Sequence, residues 1–385
     1  MPSDFTPSNL TPDRIPCIVG VGTTPFRALY RDINPARTDY DLALDAFYVA
    51  LADSGLEKRE IDSVIVARLN SYLKFCADAG LEDVNYVNFQ SAGGSQSGVA
   101  LFQAATLIQA GQADVIACVY GNSGRSSQVS YGGGAIPTSR YDDPYGMTSN
   151  GAYYGMLFRR HQHEFGTPIE ALAEIAISNR ANASLNPNAI MQTPITREDY
   201  FNAPFIADPL RRLDYCLVND GGVAYIVTSL ERARDLKMTP VRVLSSGVSG
   251  VMSYYYGSDD CWFGALDDLR GRLFARAGVE PSDLDFAQMY DNFSTAIVFA
   301  LEGMGICQRG EAGPWLLDGN HKRDGALPIN TAGGHLSESY MQGWALTVEA
   351  VRQLRGEAGP RQVKDCELAL DVTCSPICSA NILGL

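Results

Sequence analysis

The sequence predicts an α/β fold built from two like halves, and three observations carry that prediction. A glycine-acidic turn recurs in the second half, short apolar runs alternate with helix-patterned segments around both copies, and each copy is followed by an Ala-Gly-Gly turn ahead of another helix. In the first half a strand is predicted over 17–21. Ala43, Ala46, Ala50 and Leu51 then fall at i, i+3, i+7 and i+8, the spacing of one buried helix face. The turn Gly55-Leu56-Glu57-Lys58-Arg59-Glu60-Ile61-Asp62 follows, then an apolar run over 63–66 that suits a strand covered on both faces. Ala92-Gly93-Gly94 precedes a helix over 98–111 and a strand over 114–120.

The second half repeats this order. A strand over 241–246 leads to Leu266, Leu269, Leu273 and Phe274, again with helical spacing. Next comes Gly278-Val279-Glu280-Pro281-Ser282-Asp283-Leu284-Asp285, 223 residues after its counterpart, and then an apolar run over 286–289. Ala332-Gly333-Gly334 precedes a helix over 343–355 and a strand over 367–372. Agreement of helix face, turn and strand together points to duplication. The boundary is placed near 235, giving halves 1–235 and 236–385. Residues 120–202, rich in Gly, Ser, Tyr and Asn, read as a lid or contact region with amphipathic pieces over 155–165 and 169–178.

Composition narrows the function classes. The 385 residues are 46% hydrophobic and 19% charged, as in a globular protein with a substantial core. Thirty Lys and Arg stand against 44 Asp and Glu, a net charge of -14 with no basic run, which argues against a nucleic-acid partner. No run of about 18 apolar residues offers a membrane span. Residues 1–14 are polar with three prolines and lack a secretory pattern, which points to the cytoplasm. Nine cysteines with no CxxC pair read as reduced thiols.

Several motifs resemble the thiolase superfamily, in its sterol-carrier-protein-x and lipid-transfer-protein branch. They are Arg159-Arg160-His161-Gln162-His163-Glu164, Ala183-Ser184-Leu185-Asn186-Pro187-Asn188, Asp220-Gly221-Gly222, Leu327-Pro328-Ile329-Asn330-Thr331-Ala332-Gly333-Gly334 and the segment 349–359. The resemblance implies a five-layered αβαβα fold of two duplicated halves, a homodimer, and acyl-CoA thioesters as substrates.

The departures from the family pattern carry the functional reading. Ser91 stands where a family thiolase has its nucleophilic cysteine. Asn330-Thr331-Ala332-Gly333-Gly334 replaces Asn-x-His-Gly-Gly, and Tyr290-Asp291-Asn292-Phe293 replaces His-Asp-Cys-Phe. Acyl transfer needs a thiolate, and a serine without a paired base is a far weaker nucleophile. Tyrosines stand in these motifs instead. Tyr290 ends the second-half strand, and Tyr340 follows the Gly333-Gly334 turn. The pair is similar to that of thiolase-fold aldolases that remove steroid side chains together with an OB-fold partner of the DUF35 type. The implied reaction is retro-aldol cleavage of a β-hydroxyacyl-CoA, a 17-hydroxysteroid with a C22 side chain, giving a ketosteroid and propionyl-CoA.

That chemistry needs no cofactor beyond the CoA of the substrate, no metal and no covalent intermediate. It needs a base for the hydroxyl, donors for the enolate oxygen and an acid for the enolate carbon. Tyrosine is ionised to roughly one part in a thousand at pH 7, a cost of about 4 kcal/mol that a neighbouring donor must lower. Tyr290 and Tyr340 are the candidate acid and base, with the assignment open between them. Asp291 is a candidate orienting group or helix cap, and His335 a candidate auxiliary acid or base or a turn residue. Gly93, Gly94, Gly333 and Gly334 are candidate oxyanion donors beside Ser91 and Asn292. Arg159, Arg160, Arg211 and Arg212 are candidate phosphate ligands or solvated surface charges. Two residues apart on one helix, His161 and His163 face different ways and make no metal pair. Cys374 and Cys378 read as buried inert thiols, and Gly20-Val21-Gly22 is a weak dinucleotide fragment. Two alternatives stand beside the aldolase: acyl transfer through Ser91 or Cys374, and a noncatalytic acyl-CoA- or sterol-binding subunit.

Overall fold

The structure is a computed structural model that describes residues 14–90, 94, 96–128, 143–146, 149–250, 263–374 and 377–385. Its strands are β1 (Pro16–Thr23), β2 (Ser63–Ala67), β3 (Tyr86–Gln90), β4 (Val115–Asn122), β5 (Phe205–Ala207), β6 (Leu210–Arg211), β7 (Gly221–Ser229), β8 (Val241–Gly250), β9 (Phe286–Met289), β10 (Leu368–Thr373) and β11 (Ile377–Gly384). Nine of them form one sheet in the order β3-β2-β4-β7-β1-β8-β11-β10-β9, while β5 and β6 make a separate hairpin. Outward from the centre, the first half runs β1-β7-β4-β2 and the second β8-β11-β10-β9, the same arrangement twice. Within the sheet, the halves meet where Cys17 and Ile18 pair with Arg242 and Val241.

The repeat extends to single hydrogen bonds. Gly55 and Gly278 both end a helix at φ +71°, a conformation that glycine adopts without strain. Asp62 accepts the backbone N–H groups of Asp114 and Val115 where β4 begins. Asp285 accepts those of Glu367 and Leu368 where β10 begins.

Alternation along the strands sorts the core into layers, because successive side chains point to opposite faces. Ile65, Ile116, Cys118, Val223 and Tyr225 face a central cluster with Leu101, Ile108, Trp344 and Val348. Those last four lie on the helices Gln96–Gln109 and Trp344–Leu354, which fill the middle layer. Val64, Val66, Val115, Ala117 and Ile226 face the opposite way, onto the helix Asp39–Ser54. Leu370, Val372, Ala380 and Ile382 do the same in the second half, against the helices Phe263–Ala277 and Ser294–Gly303. Helix, sheet, helix, sheet, helix is the five-layered fold expected from the resemblance.

Gly20 and Gly22 serve helix packing. A Cβ on either would stand 2.3 or 2.2 Å from a carbonyl oxygen of the helix Asp39–Ser54, so they let that helix lie directly on β1. Gly222 is tighter still, with Leu42 O 1.9 Å from where its Cβ would be. The stretch 120–202 also differs from a simple lid. Its helices Asn150–Phe165 and Glu170–Ser184 bury Tyr154, Phe158, Leu172 and Ile175 in the outer core of the second half. Their amphipathic faces match that apolar surface, and burying each such side chain contributes about 1.5–3 kcal/mol.

Candidate active site

β9 is buried on both faces and ends at Met289, which delivers Tyr290 and Asp291 to the carboxyl edge of the sheet. The register is pinned from the side. Asn330, at φ +49°, accepts the Met289 N–H through Oδ1 at 2.8 Å and donates Nδ2 to the Met289 carbonyl at 2.9 Å. Its side chain thus acts as a short neighbouring strand, and the Thr331-Ala332-Gly333-Gly334 turn leaves from a fixed point.

Asp291 is fully buried, and three donors reach its carboxylate. The His335 and Leu336 N–H groups reach its two oxygens at 2.8 and 3.4 Å, capping the short helix Gly334–Ser337. Asn179 Nδ2 donates to Oδ2 at 2.6 Å, and His335 Nδ1 lies 3.0 Å from Oδ1. His335 Nε2 accepts the Gly343 N–H at 3.0 Å, and Nδ1 accepts the Asp291 backbone N–H at 3.3 Å. Both ring nitrogens are therefore engaged by backbone amides, which fixes the plane of the ring. Gly334 has to be glycine: its φ is +58°, and a Cβ would meet Asp291 Oδ2 at 2.3 Å.

The structure brings Tyr290 and Tyr340 together, their hydroxyls 3.0 Å apart. The His335 ring stands nearly perpendicular to both, at 4.7 Å from the Tyr290 centroid and 5.3 Å from that of Tyr340. Tyr290 is 1% exposed, whereas Tyr340 is half-buried. Burial pushes the Tyr290 phenol well above its ordinary value. The adjacent Tyr340, Cys216 and Tyr154 push in the same direction. Burial likewise raises the Cys216 thiol, with the Asp291 carboxylate adding to it. Gly94 completes the contact, since a Cβ there would lie 2.3 Å from the Tyr290 hydroxyl oxygen.

Other expected groups fall in different places. Ser91 and Gly93 lie outside the described residues. Gly333 donates its N–H to Asn330 O at 2.8 Å, so that amide is not available as an oxyanion donor. Asn292 is half-buried, and its Oδ1 accepts the neighbouring Phe293 N–H. Arg159 and Arg160 pair with Asp208 and Glu164, and Arg211 lies over the Phe205 ring while donating to Ala203 O. Only Arg212 of the four proposed phosphate ligands is left exposed without such a contact. His161 is buried between Glu302 and Thr167 while His163 is exposed, and Cys374 and Cys378 are buried. Among the described residues no group of His, Cys, Asp and Glu could hold a metal.

Sequence reasoning missed the asparagines that carry the site. Asn179, Asn182 and Asn186 run along one side of the helix Glu170–Ser184 and its exit. They hold Asp291, the Ile329 and Asn330 carbonyls, and Ala332 O with Glu338. Buried amides at i, i+3 and i+7 on an otherwise Ala- and Ile-rich face were the available signal.

Comparison with known proteins identifies the family. Residues 259–382 match the family described as Thiolase C-terminal domain-like. A steroid side-chain-cleaving aldolase of Thermomonospora curvata is 33% identical over 88% of this chain and 90% of its own. A 17-hydroxy-3-oxo-4-pregnene-20-carboxyl-CoA lyase of Mycobacterium tuberculosis is 34% identical over 88% and 91%. The solved Ltp2-ChsH2(DUF35) aldolase superposes with a TM-score of 0.88 at 31% identity, covering 97% of this chain and 98% of that one. No helix among the described residues is long and apolar enough to cross a membrane. The chain belongs to the thiolase superfamily, with the thiolase-fold aldolases of the sterol-carrier-protein-x branch, and is a carbon–carbon lyase on that fold.

Proposed function

We propose that the chain cleaves a β-hydroxyacyl-CoA by a retro-aldol reaction, with a 17-hydroxysteroid bearing a C22 thioester side chain as substrate. The observation that carries the reading is the 3.0 Å hydrogen bond between Tyr290 and Tyr340, in motifs from which the acyl-transfer cysteine and histidine are missing.

The burial difference divides the labour. Tyr290, buried and raised, stays neutral and donates; Tyr340 is the phenol that loses its proton, stabilised by the Tyr290 hydroxyl. Tyr340 phenolate takes the proton of the tertiary hydroxyl. The C17–C20 bond then breaks, its electrons passing into the thioester enolate as the ketone forms. Tyr290 protonates the enolate carbon to give propionyl-CoA, and a proton moves from Tyr340 to Tyr290 across the same hydrogen bond to reset the pair. Atoms and electrons balance without any cofactor. Acid–base participation of this kind contributes about 10²–10⁴-fold. Asp291 and His335 hold the two phenols in place, and Gly94, Gly334 and Asn292 line the space for the thioester.

A DUF35-type OB-fold partner is part of the proposal, supported by the similarity to the Ltp2-ChsH2(DUF35) aldolase. So is a homodimer. Among the described residues β3 is an unpaired sheet edge with Phe89 43% exposed, whereas the opposite edge at β9 is covered by the chain at Ile329. The cytoplasm is the compartment that suits a CoA thioester. The test is product analysis by liquid chromatography and mass spectrometry, using the 17-hydroxysteroid C22 acyl-CoA with and without the partner. Ketosteroid and propionyl-CoA in equal amounts are expected. Unchanged substrate with the partner present, or an acyl adduct on the intact protein, overturns the reading.

A further inference from the structure

Tyr340 belongs to the second half by sequence, yet its seat is built by the first. Asn219, two residues ahead of the start of β7, is 1% exposed and accepts the Tyr340 N–H through Oδ1 at 2.7 Å. Its Nδ2 donates to Asp220 O at 3.1 Å, which fixes the amide plane. Asn122, the last residue of β4 and 2% exposed, donates Nδ2 to Asn219 O at 2.8 Å and accepts the Gly124 N–H at 3.0 Å. The next residue in each chain segment reinforces the grip. Asp220 takes the Arg125 and Ser126 N–H groups. A Cβ on Gly221 would collide with Met341 Sδ at 2.8 Å, so the missing side chain leaves the slot that Met341 fills.

This seat matters because the segment around Tyr340 is otherwise held in unusual backbone. Gln342 has φ +48° and Gly343 φ +91°, and the short helix before them ends at Ser337. A phenol ring placed by such a segment swings with any shift of its amide. Tyr290, by contrast, is anchored at its own N–H by Val372 O of β10, inside the sheet.

We propose that Asn219 is a positioning residue that sets the Tyr340 hydroxyl against that of Tyr290, acting through the Tyr340 amide, with Asn122 locking Asn219. The inference rests on the aldolase reading for its catalytic consequence, but the seat itself is testable without turnover. Asn219→Ala removes the acceptor of the Tyr340 N–H and leaves both phenols chemically intact. A displacement of about 1 Å between reacting groups costs on the order of 10²-fold, so kcat should fall by about that factor while KM stays unchanged. Hydrogen exchange of the segment 337–343, read by mass spectrometry on the full chain with its partner, should accelerate in Asn219→Ala and remain slow in the segment containing Tyr290. Asn122→Ala should show the same signature with a smaller loss of kcat, and serves as the test if Asn219→Ala does not fold.

Unchanged kcat in a folded variant whose exchange has accelerated overturns the proposal. So does unchanged exchange, or a loss confined to KM. If the wild-type complex cleaves no β-hydroxyacyl-CoA, the aldolase reading fails with it, while the exchange data still decide whether Asn219 holds Tyr340.

Discussion

The exits of β2 and β9 occupy equivalent places in the two halves and have opposite chemistry. β2 ends in Ala67 and continues through Arg68 to Leu69, with both Ala67 and Leu69 buried in apolar core. At the matching positions β9 is followed by Tyr290, Asp291 and Asn292. The scaffold therefore offers the same strand-end geometry twice, and one copy is filled with hydrocarbon. What distinguishes the other copy is a set of buried hydrogen bonds that an apolar core does not need: Asn179 and two backbone amides on the Asp291 carboxylate, the Asp291 N–H on His335, and a second phenol on Tyr290. Duplication provided position. Polar satisfaction makes one of the two positions the candidate site.

The hardest test of that contrast is removal of single oxygens. Tyr290→Phe and Tyr340→Phe should each lower kcat for cleavage by about 10³-fold, within the usual range for an acid or base, with thermal stability retained. Leu69→Val, at the exit of β2, should leave kcat unchanged. Product assays by mass spectrometry check both, and full turnover by either phenylalanine variant would break the comparison. A smaller effect, on stability, is expected at Asp291. Asp291→Ala strands several buried donors and should cost about 3 kcal/mol in urea unfolding, since unsatisfied buried groups cost about 1–3 kcal/mol each and relaxation recovers part of the sum. Arg68→Gln, at the equivalent position of the first half, should cost under about 0.5 kcal/mol.

The sheet edges give a third, milder contrast. Phe89→Glu places a charge on the bare β3 edge and should shift the protein toward monomer in sedimentation velocity. Leu327→Ala, beside the covered β9 edge, should leave the oligomeric state alone. Monomer formation in neither variant would refute β3 as the edge that pairs.

The layers were legible in the sequence because periodicity records which face is buried. Ala43, Ala46 and Ala50 lie on the helix Asp39–Ser54, and the paired turns at Gly55 and Gly278 share one conformation. The two tyrosines were legible through the motifs they replace. Their hydrogen-bonded supports were not. Asn179 and Asn219 act over separations of 112 and 121 residues, and a single polar residue on an apolar face carries no mark of its partner. The engagement of Gly333's amide by Asn330 was equally hidden, because it depends on a positive φ at a non-glycine residue.

The smallest expected effect is a pH dependence that only the polar copy can have. Glu338 lies two residues before Tyr340, 4% exposed; its Oε1 accepts from Asn186, and its Oε2 has no partner among the described residues. Burial, and then the nearby Glu349 carboxylate, raises its pKa from 4.5 to about 8 against the opposing pull of Arg361, Asn186 and Arg352. Between those two values the unfolded chain has released the proton and the folded chain still holds it. The folded state then binds more protons, so stability falls as pH rises through that window and is unaffected below it. Glu338→Gln keeps the acceptor for Asn186 and imitates the protonated acid at every pH. The variant should melt with the wild type at pH 4.5 and above it at pH 9, by about 3 °C for a chain of this size. Differential scanning fluorimetry at the two pH values reads the difference directly. An offset that is the same at both pH values would mean that Glu338 titrates normally, and that the polar copy carries no such cost.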